Sequence, residues 1–129
     1  VKDEDIMEEF TARLAHSIGL LHLQGGCFTT TIPDSGELSS LDLQNVTVTG
    51  EILDLDDIYP SGTSGENNHL DVRRARVLIN KMAGLLGLNK KEYWEKFKKV
   101  YSAYMAEKNN RERRGAERAR HVKSKKRVR

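Results

Sequence analysis

The sequence predicts an α+β protein with an N-terminal helix, a small antiparallel sheet or hairpin, a helical hairpin and a flexible basic C-terminal tail. Apolar residues recur every three or four positions in segments 3–24, 70–87 and 89–108, which is the spacing of one face of an α-helix. Residues 27–58 are instead rich in β-branched side chains and alternate between apolar and polar types, as strands do. Beyond residue 108 the apolar pattern ends and Lys and Arg predominate.

The first helix is expected over residues 3–24. Acidic residues at positions 3–5 would favour the exposed amides of its first turn, and Gly25 would end it. Gly19 weakens the helix by about 1 kcal/mol relative to Ala. The predicted buried stripe consists of Ile6, Phe10, Leu14, Ile18 and Leu21.

The strand region has two parts joined by a turn. The segment "CFTTTI" ends at Pro33, and "PDSGE" has the composition of a turn. In "LDLQNVTVTGEILDL" apolar residues alternate with polar ones, with one slip near Gln44 and a predicted bulge at Gly50. Residues 59–69 have few apolar side chains and are expected to form a linker loop.

The second and third helices are expected to form a hairpin. The second carries a stripe from Val72 to Leu86 and ends at Gly87, which suits a left-handed C-terminal position. Asn89 with Glu92 three residues later resembles a capping box at the start of the third helix. The broad apolar face of that helix consists of Tyr93, Trp94, Phe97, Val100, Tyr101, Tyr104 and Met105.

Charge divides the chain into an acidic and a basic half. Residues 1–69 hold two basic and thirteen acidic residues, a net charge of −11, whereas residues 70–129 hold twenty basic and six acidic ones, a net charge of +14. Such a split favours a polyanion-binding half, and the alternative is that the halves attract each other within or between chains. The predicted parts are 1–58 (acidic helix and β-hairpin), 59–69 (linker), 70–108 (basic helical hairpin) and 109–129 (basic tail, disordered or frayed helix).

The predicted hairpin contains the pattern of a helix-turn-helix. This motif needs a small residue in its first helix, a tight turn opened by Gly, and an apolar residue in the second helix that packs back. The segment "AGLLGLNKKEYWEKFKK" (83–99) resembles the helix-turn-helix of Fis-type and related bacterial DNA-binding proteins, although Glu95 stands where that family commonly has Arg. The residues that match in type are Ala83, Leu86, Gly87, Leu88, Asn89, Tyr93, Trp94, Lys96, Phe97 and Lys98.

The resemblance implies that the start of the third helix lies near base edges or phosphates. The residues placed there are Asn89, Lys90, Lys91, Glu92 and Glu95. Flanking basic residues would add phosphate contacts; these are Lys98, Arg73, Arg74, Arg76, Arg111, Arg113, Arg114, Lys123, Lys125, Lys126 and Arg127. The alternative is an ordinary helical hairpin whose aromatic residues form the core rather than platforms for stacking bases.

The basic tail has three interpretations. It could follow phosphates and fold on binding, it could act as a two-part nuclear address through Arg113-Arg114 and Lys125-Lys126-Arg127, or it could only solubilise the chain. The first is favoured.

Little in the sequence indicates catalysis. The four His residues lack metal-site spacing, Cys27 is the single cysteine, and no phosphate-binding glycine loop is present. Asp54, Asp56 and Asp57 could hold Mg²⁺ in a nuclease, but a solvated acidic segment is favoured. We therefore expect no enzyme, cofactor or metal.

The expected function is that of a small non-enzymatic nucleic-acid-binding protein, in first place a helix-turn-helix DNA-binding regulator of prokaryotic or phage type. DNA is favoured over RNA. The alternative is a structural component of a phage or ribonucleoprotein assembly that docks partners through acidic and basic faces, and a homodimer or a contact between acidic and basic faces of two subunits is left open. The acidic start of the chain and the lack of a run of about 20 apolar residues predict a cytoplasmic protein without a membrane partner, associated with the nucleoid in a prokaryote or nuclear in a eukaryote.

Overall fold

The computed structural model of the protein describes residues 2–53, 58–61 and 66–127, of which residue 66 and residues 121–127 are described by their backbone alone. The predicted α+β class is confirmed, with helices predominating. The elements in chain order are α1 (Asp3–Leu23), β1 (Gly26–Cys27), β2 (Thr29–Ile32), β3 (Gly36–Ser39), β4 (Tyr59–Pro60), α2 (Glu66–Leu85) and α3 (Lys90–Arg127).

Helix α1 lies against the rest of the molecule along a face wider than the predicted stripe. Phe10, Leu14 and Ile18 are buried as expected, whereas Ile6 and Leu21 are only partly buried. The buried face also includes Met7, Thr11, Ala15, Gly19 and His22. This width arises because α1 packs against α3, α2 and β1, so more than one side of the helix is covered.

Two short antiparallel sheets follow α1. Strands β2 and β3 form a hairpin in which Thr29 pairs with Ser39 and Ile32 with Gly36. Its turn is the predicted "PDSGE" segment, with positive φ angles at Asp34 (66°) and Gly36 (92°). The second sheet joins β1 to β4, with Gly26 opposite Pro60.

The strand predicted for residues 41–55 is wrong over residues 41–53, because the described chain there forms turns and a single bridge between Val46 and Ile52. Residues 54 and 55 lie outside the described residues. The Asp42 carboxylate accepts the N–H groups of Gln44 and Asn45, which turns the backbone where a ladder would continue.

Gly50 is a turn residue and not a bulge. It has φ of 84°, and a Cβ atom there would lie 2.6 Å from the Phe10 carbonyl oxygen. Alternation in this segment therefore did not mark a half-buried strand, and Leu43 and Val48 are exposed.

The boundaries of the predicted linker are also corrected. Within residues 59–69, Tyr59 and Pro60 form β4 and α2 already begins at Glu66. Residues 62–65 and the acidic cluster Asp54, Asp56 and Asp57 lie outside the described residues.

One core joins the predicted acidic and basic parts. It contains residues from α1, from the segment between the sheets, and from both later helices. Representative members are Met7, Leu14, Leu41, Ile79 and Phe97, all 0–2% exposed. The predicted parts 1–58 and 70–108 therefore pack together rather than forming two separate bodies.

Helix α3 is far longer than predicted. It has 38 residues, which corresponds to about 57 Å at a rise of 1.5 Å per residue. The predicted tail is thus a continuation of α3 through Arg127. Every residue from 109 to 120 is exposed, which explains why no apolar periodicity marks this part of the helix.

Candidate nucleic-acid interface

The turn between α2 and α3 has the geometry that the sequence predicted. Gly87 has φ of 69°. The Leu88 N–H donates to the Ala83 carbonyl at 2.8 Å and the Gly87 N–H donates to the Gly84 carbonyl at 3.2 Å. These two bonds form a Schellman motif, which satisfies carbonyl groups at the end of α2. Residues 86–89 therefore form a four-residue turn between the helices.

At the start of α3 the structure shows one of the two hydrogen bonds of the predicted capping box. The Asn89 side-chain oxygen accepts the Glu92 N–H at 3.2 Å, as predicted for an N-cap. The Glu92 carboxylate instead lies 3.6 Å from the Lys96 ammonium. The reciprocal half of the predicted capping box is thus replaced by an ion pair along the helix.

The residues that should pack the two helices of the hairpin together are buried. Ala83 and Phe97 are fully buried and Tyr93 is 3% exposed. This matches the packing that a helix-turn-helix requires of its small and apolar positions. The chain reverses between the two helices, since the Arg76 guanidinium of α2 lies over the Trp94 ring of α3. Asp71 of α2 and Tyr101 of α3 both bond to His22.

The residues predicted to face nucleic acid at the start of α3 are all exposed. They are Asn89, Lys90, Lys91, Glu92, Glu95 and Lys98. Among them Lys90 and Lys91 have no side-chain hydrogen bond or ion pair within the described part of the chain. Glu95 pairs with Lys98 at 2.8 Å, and this hydrogen bond is the largest cause that lowers the pKa of Glu95.

Several predicted phosphate contacts are ion-paired with the acidic half. The Glu37 carboxylate accepts a hydrogen bond from Arg73 and lies 3.8 Å from Arg74. Lys96 donates to Glu8 of α1 at 2.6 Å. Attraction between the two halves within one chain, which the sequence left open, is therefore present at these positions, and it reduces the positive field around the turn.

In the C-terminal half of α3 (residues 109–127), every residue whose side chain the structure describes, from 109 to 120, is exposed. Arg111 and Arg114 lie 3.0 and 3.4 Å from the Glu107 carboxylate, and Arg113 donates to the Asn110 side chain at 2.9 Å. Arg118 and Arg120 have no such partner in the described residues. The backbone of Lys123, Lys125, Lys126 and Arg127 continues the helix.

The aromatic residues of α3 are engaged in packing. Trp94 stacks on Phe97 with 5.0 Å between ring centroids and 11° between planes, and the Arg76 guanidinium carbon lies 5.5 Å from the Trp94 centroid. Tyr101 stacks on Phe97 in turn. These contacts support the interpretation of the aromatic stripe as core rather than as a platform for unstacked bases.

A buried polar network beside this surface was missed by the sequence analysis. The His22 Nε2 atom lies 2.7 Å from Asp71 Oδ2, and His22 Nδ1 lies 2.7 Å from the Tyr101 hydroxyl. Asp71 Oδ2 also accepts the Phe28 N–H at 2.8 Å. Both His22 and Asp71 are fully buried, so the network joins all three helices and the chain after β1.

The network had a signal in the sequence. His22 is four residues after Ile18 and Asp71 is four residues before Ala75, so each continues a buried stripe with a polar residue. Burial and the charge of Asp71 raise the pKa of Tyr101 to about 12. A buried, paired carboxylate such as Asp71 holds together the elements that it bridges. Removing either partner of the pair would leave the other buried without a compensating interaction.

No group of three or more His, Cys, Asp or Glu side chains is placed to hold a metal ion in the described ranges. None of the helices in the part of the chain that the structure describes is both long enough and apolar enough to cross a bilayer.

Comparisons with known proteins found no match: no protein family, no curated protein and no solved structure matches the chain.

Proposed function

We propose that this protein binds nucleic acid, with duplex DNA as the preferred target, and that the C-terminal half of α3 makes the main contact. The observation that carries this proposal is the basic helix that leaves the core: residues 109–120 are exposed on every side of α3. A solvated helix of this kind gains its folding free energy from a partner, since isolated short helices are marginal in water.

The arginines of this helix form two rows. Arg111, Arg114 and Arg118 follow the i, i+3, i+7 spacing of one side, whereas Arg113 and Arg120 are seven residues apart on another side. An α-helix is about 10–12 Å across with its side chains, and the major groove of B-DNA is about 12 Å wide. In that groove the two rows would face the two phosphate backbones.

Duplex RNA suits the same helix less well. The major groove of A-form RNA is deep and too narrow for side chains to read. This difference supports DNA over RNA as the target.

The start of α3 is the second contact in this proposal. Its support is the confirmed turn geometry and the exposure of Asn89, Lys90 and Lys91. Glu92, Glu95 and Glu8 lie around the same surface, so it contributes less electrostatic free energy than the C-terminal half. A role in transcription regulation stays a prediction from the local resemblance.

The experiment compares salt slopes of two variants. One replaces Arg111, Arg113, Arg114, Arg118 and Arg120 by Gln, and the control, which alters the weaker of the two proposed contacts, replaces Lys90 and Lys91 by Gln. Gel shifts with duplex DNA, single-stranded DNA and double-stranded RNA are run over a series of salt concentrations. Since log K falls with log salt by about 0.9 per neutralised phosphate, the five-residue variant should show a much shallower slope and weaker DNA binding than the control.

The proposal fails if wild-type protein does not retard duplex DNA even at low salt. It also fails if the five-residue variant binds as wild type does. Tighter binding to RNA than to duplex DNA would contradict the choice of target.

The Lys91 side chain tests the second contact separately. Lys91→Ala should cost about 1–3 kcal/mol and relax preference at one base pair if the ammonium reaches a guanine edge. A loss that is uniform across sequences, with a salt slope lower by about one, would identify a phosphate contact instead. No change in either quantity would remove the start of α3 from the interface.

A second candidate function is ordered self-assembly. The exposed acidic residues at the start of α1, at positions 3–5 and at Glu9, complement the basic C-terminal half of α3 from another copy. Light scattering without nucleic acid distinguishes the two functions, because head-to-tail assembly should grow at low salt and dissolve at high salt, whereas a monomer at both salts would exclude it.

A further inference from the structure

We propose that the pocket between α2 and residues 37–43 binds a small organic carboxylate with an apolar body. The pocket has a volume of about 350 Å³, within the range of small-molecule sites. It lies on a side of α2 that the other helices leave open, and the proposal does not depend on nucleic-acid binding.

The floor and one wall of the pocket are apolar. Leu41 and Leu78 are 2% and 3% exposed and close the floor. Leu43 and Val77 line the same pocket but are 53% and 49% exposed. An apolar ligand body would cover these two side chains, which gives a favourable free energy of about 25 cal/mol for each Å² removed from water.

The polar lining carries an excess of positive charge. Arg73, Arg74 and Lys81 line the pocket with two carboxylates, Glu37 and Asp42. The Glu37 carboxylate forms ion pairs with both Arg73 and Arg74. Lys81 has no side-chain hydrogen bond or ion pair in the described residues.

The Asp42 carboxylate is already hydrogen-bonded to backbone N–H groups of the chain. It accepts the N–H groups of Gln44 and Asn45 at 2.9 and 3.1 Å, so it holds the turn that follows the pocket. The charge left for a ligand is therefore positive.

Arg74 has Glu37 as an ion-pair neighbour but keeps an unsatisfied hydrogen-bond donor. Its Nε atom is buried without a hydrogen bond, and its nearest ion-pair distance, to Glu37 Oε2, is 3.8 Å, which is too long for a hydrogen bond. A buried N–H that remains unsatisfied destabilises the folded state. The Arg74 side chain is 29% exposed, so a modest rotation of its guanidinium toward the pocket would let Nε–H and Nη–H meet a carboxylate side by side.

The chemistry of the ligand follows from the apolar wall and the cationic side chains of the pocket. The planar carboxylate matches the guanidinium edge of Arg74, Lys81 contributes a second cation, and the body of the ligand lies on Leu43 and Val77. This assignment gives Arg74 a role in binding a small molecule, distinct from the phosphate contact predicted from its sequence position.

The experiment uses three eight-carbon probes that differ only in the head group: octanoate, octan-1-ol and octylammonium. Each is titrated into the full chain and followed by two-dimensional amide NMR, octanoate and octylammonium below their micelle-forming concentrations and octanol below its solubility limit. Octanoate should give saturable shifts of amides in residues 37–43 and 73–81. Because a hydrogen bond to a charged group is worth about 1.5–3 kcal/mol, octanol should bind about tenfold or more weakly, and octylammonium should not bind there.

Variants locate the carboxylate. Arg74→Met should weaken octanoate about tenfold or more by the same conversion, and Lys81→Met, at an exposed position that cannot disturb the fold, should weaken it by a smaller factor. Lys2→Met is the matched control, because Lys2 is exposed just before α1 and lies outside this pocket. Its affinity for octanoate should equal that of the wild type.

Three results obtained with the probes would overturn the proposal. They are equal binding of octanol and octanoate, octanoate affinity unchanged in both Arg74→Met and Lys81→Met, and shifts confined to other parts of the chain. Concentration-dependent shifts of the same amides without any probe would show that a second copy covers the pocket, and would overturn it as well.

Discussion

A valine at position 87 would test the turn between α2 and α3 at a single residue. Gly87 has φ of 69°, and an L-residue in the left-handed region costs about 1–2 kcal/mol, more for a β-branched one. Gly87→Val should therefore lower the free energy of unfolding by at least about 1 kcal/mol, measured by urea denaturation.

Gly84→Ala is the matched control for this prediction. Gly84 lies inside α2, and a Cβ atom there would meet only the flexible Lys90 side chain at 3.3 Å. The substitution should leave stability unchanged or raise it by up to about 1 kcal/mol through helix propensity. Equal losses in both variants would contradict the left-handed conformation at position 87.

The Tyr101 hydroxyl predicts how stability depends on pH. Burial and Asp71 raise its pKa to about 12 in the folded protein, above the value of about 10 for an unfolded chain. The unfolded state therefore loses this proton first as pH rises, so the stabilising contribution is complete below pH of about 10 and is lost as pH rises toward 12.

Tyr101→Phe provides the measurement. It should lower the melting temperature at neutral pH, because the His22 Nδ1 atom loses its hydrogen-bond partner. Between pH of about 10 and 12 the melting temperature of the variant should fall less steeply than that of the wild type. Parallel curves would show that the phenol is not held by the network.

At the scale of elements, Gly19 marks where α1 and α3 approach each other closely. A Cβ atom at this position would lie 2.5 Å from Cδ2 and 2.8 Å from Cγ of Tyr104. The glycine that reduces helix propensity thus allows the Tyr104 ring to pack onto α1. Gly19→Ala should destabilise the protein by about 1–3 kcal/mol through overpacking.

A double-variant comparison separates this contact from a general effect on α1. In a Tyr104→Ala background the ring is absent, so Gly19→Ala should cost less than in the wild type, by the coupling expected of residues in contact. The same cost in both backgrounds would contradict the close approach of the two helices.

At the scale of the whole molecule, the shared core predicts one cooperative transition for everything except the C-terminal half of α3. Trp94 is the only tryptophan and reports on the packing between α2 and α3. Its fluorescence should change in a single thermal transition. Far-UV circular dichroism should show an additional gradual loss at lower temperature, since residues 109–120 have no buried side chains.

Removing residues 109–129 tests this prediction. The shortened chain should keep the fluorescence midpoint of the full protein to within a few degrees, because no core residue is lost. Its two melting curves should coincide. A large drop in the fluorescence midpoint would show that the C-terminal half of α3 packs on the body.

Local rules determined much of this protein. The Gly87 turn, the Asn89 cap and the start of α1 follow from spacing and capping chemistry within a few residues, and the "PDSGE" hairpin turn from its composition. Each of these features could be predicted from the sequence, because its cause lies in neighbouring residues. The exposure of Lys91 likewise follows from its place on the helix opposite Tyr93. Asn89 and Lys90 share the side of Tyr93 and are exposed because they lie at the very start of α3.

Contacts between distant residues decided the rest. The alternation in residues 41–55 is that of a strand, but Gly50 lies close to α1, and no local pattern records that contact. The Asp42 turn in the same segment is local, and the sequence analysis did not predict it. The same holds for the pairing of Glu37 with Arg73 and Arg74. It also holds for the network in which His22 meets Asp71, 49 residues later, and Tyr101, 79 residues later. Periodicity shows which side of a helix is buried, whereas only tertiary packing decides which side chains from other elements meet it there.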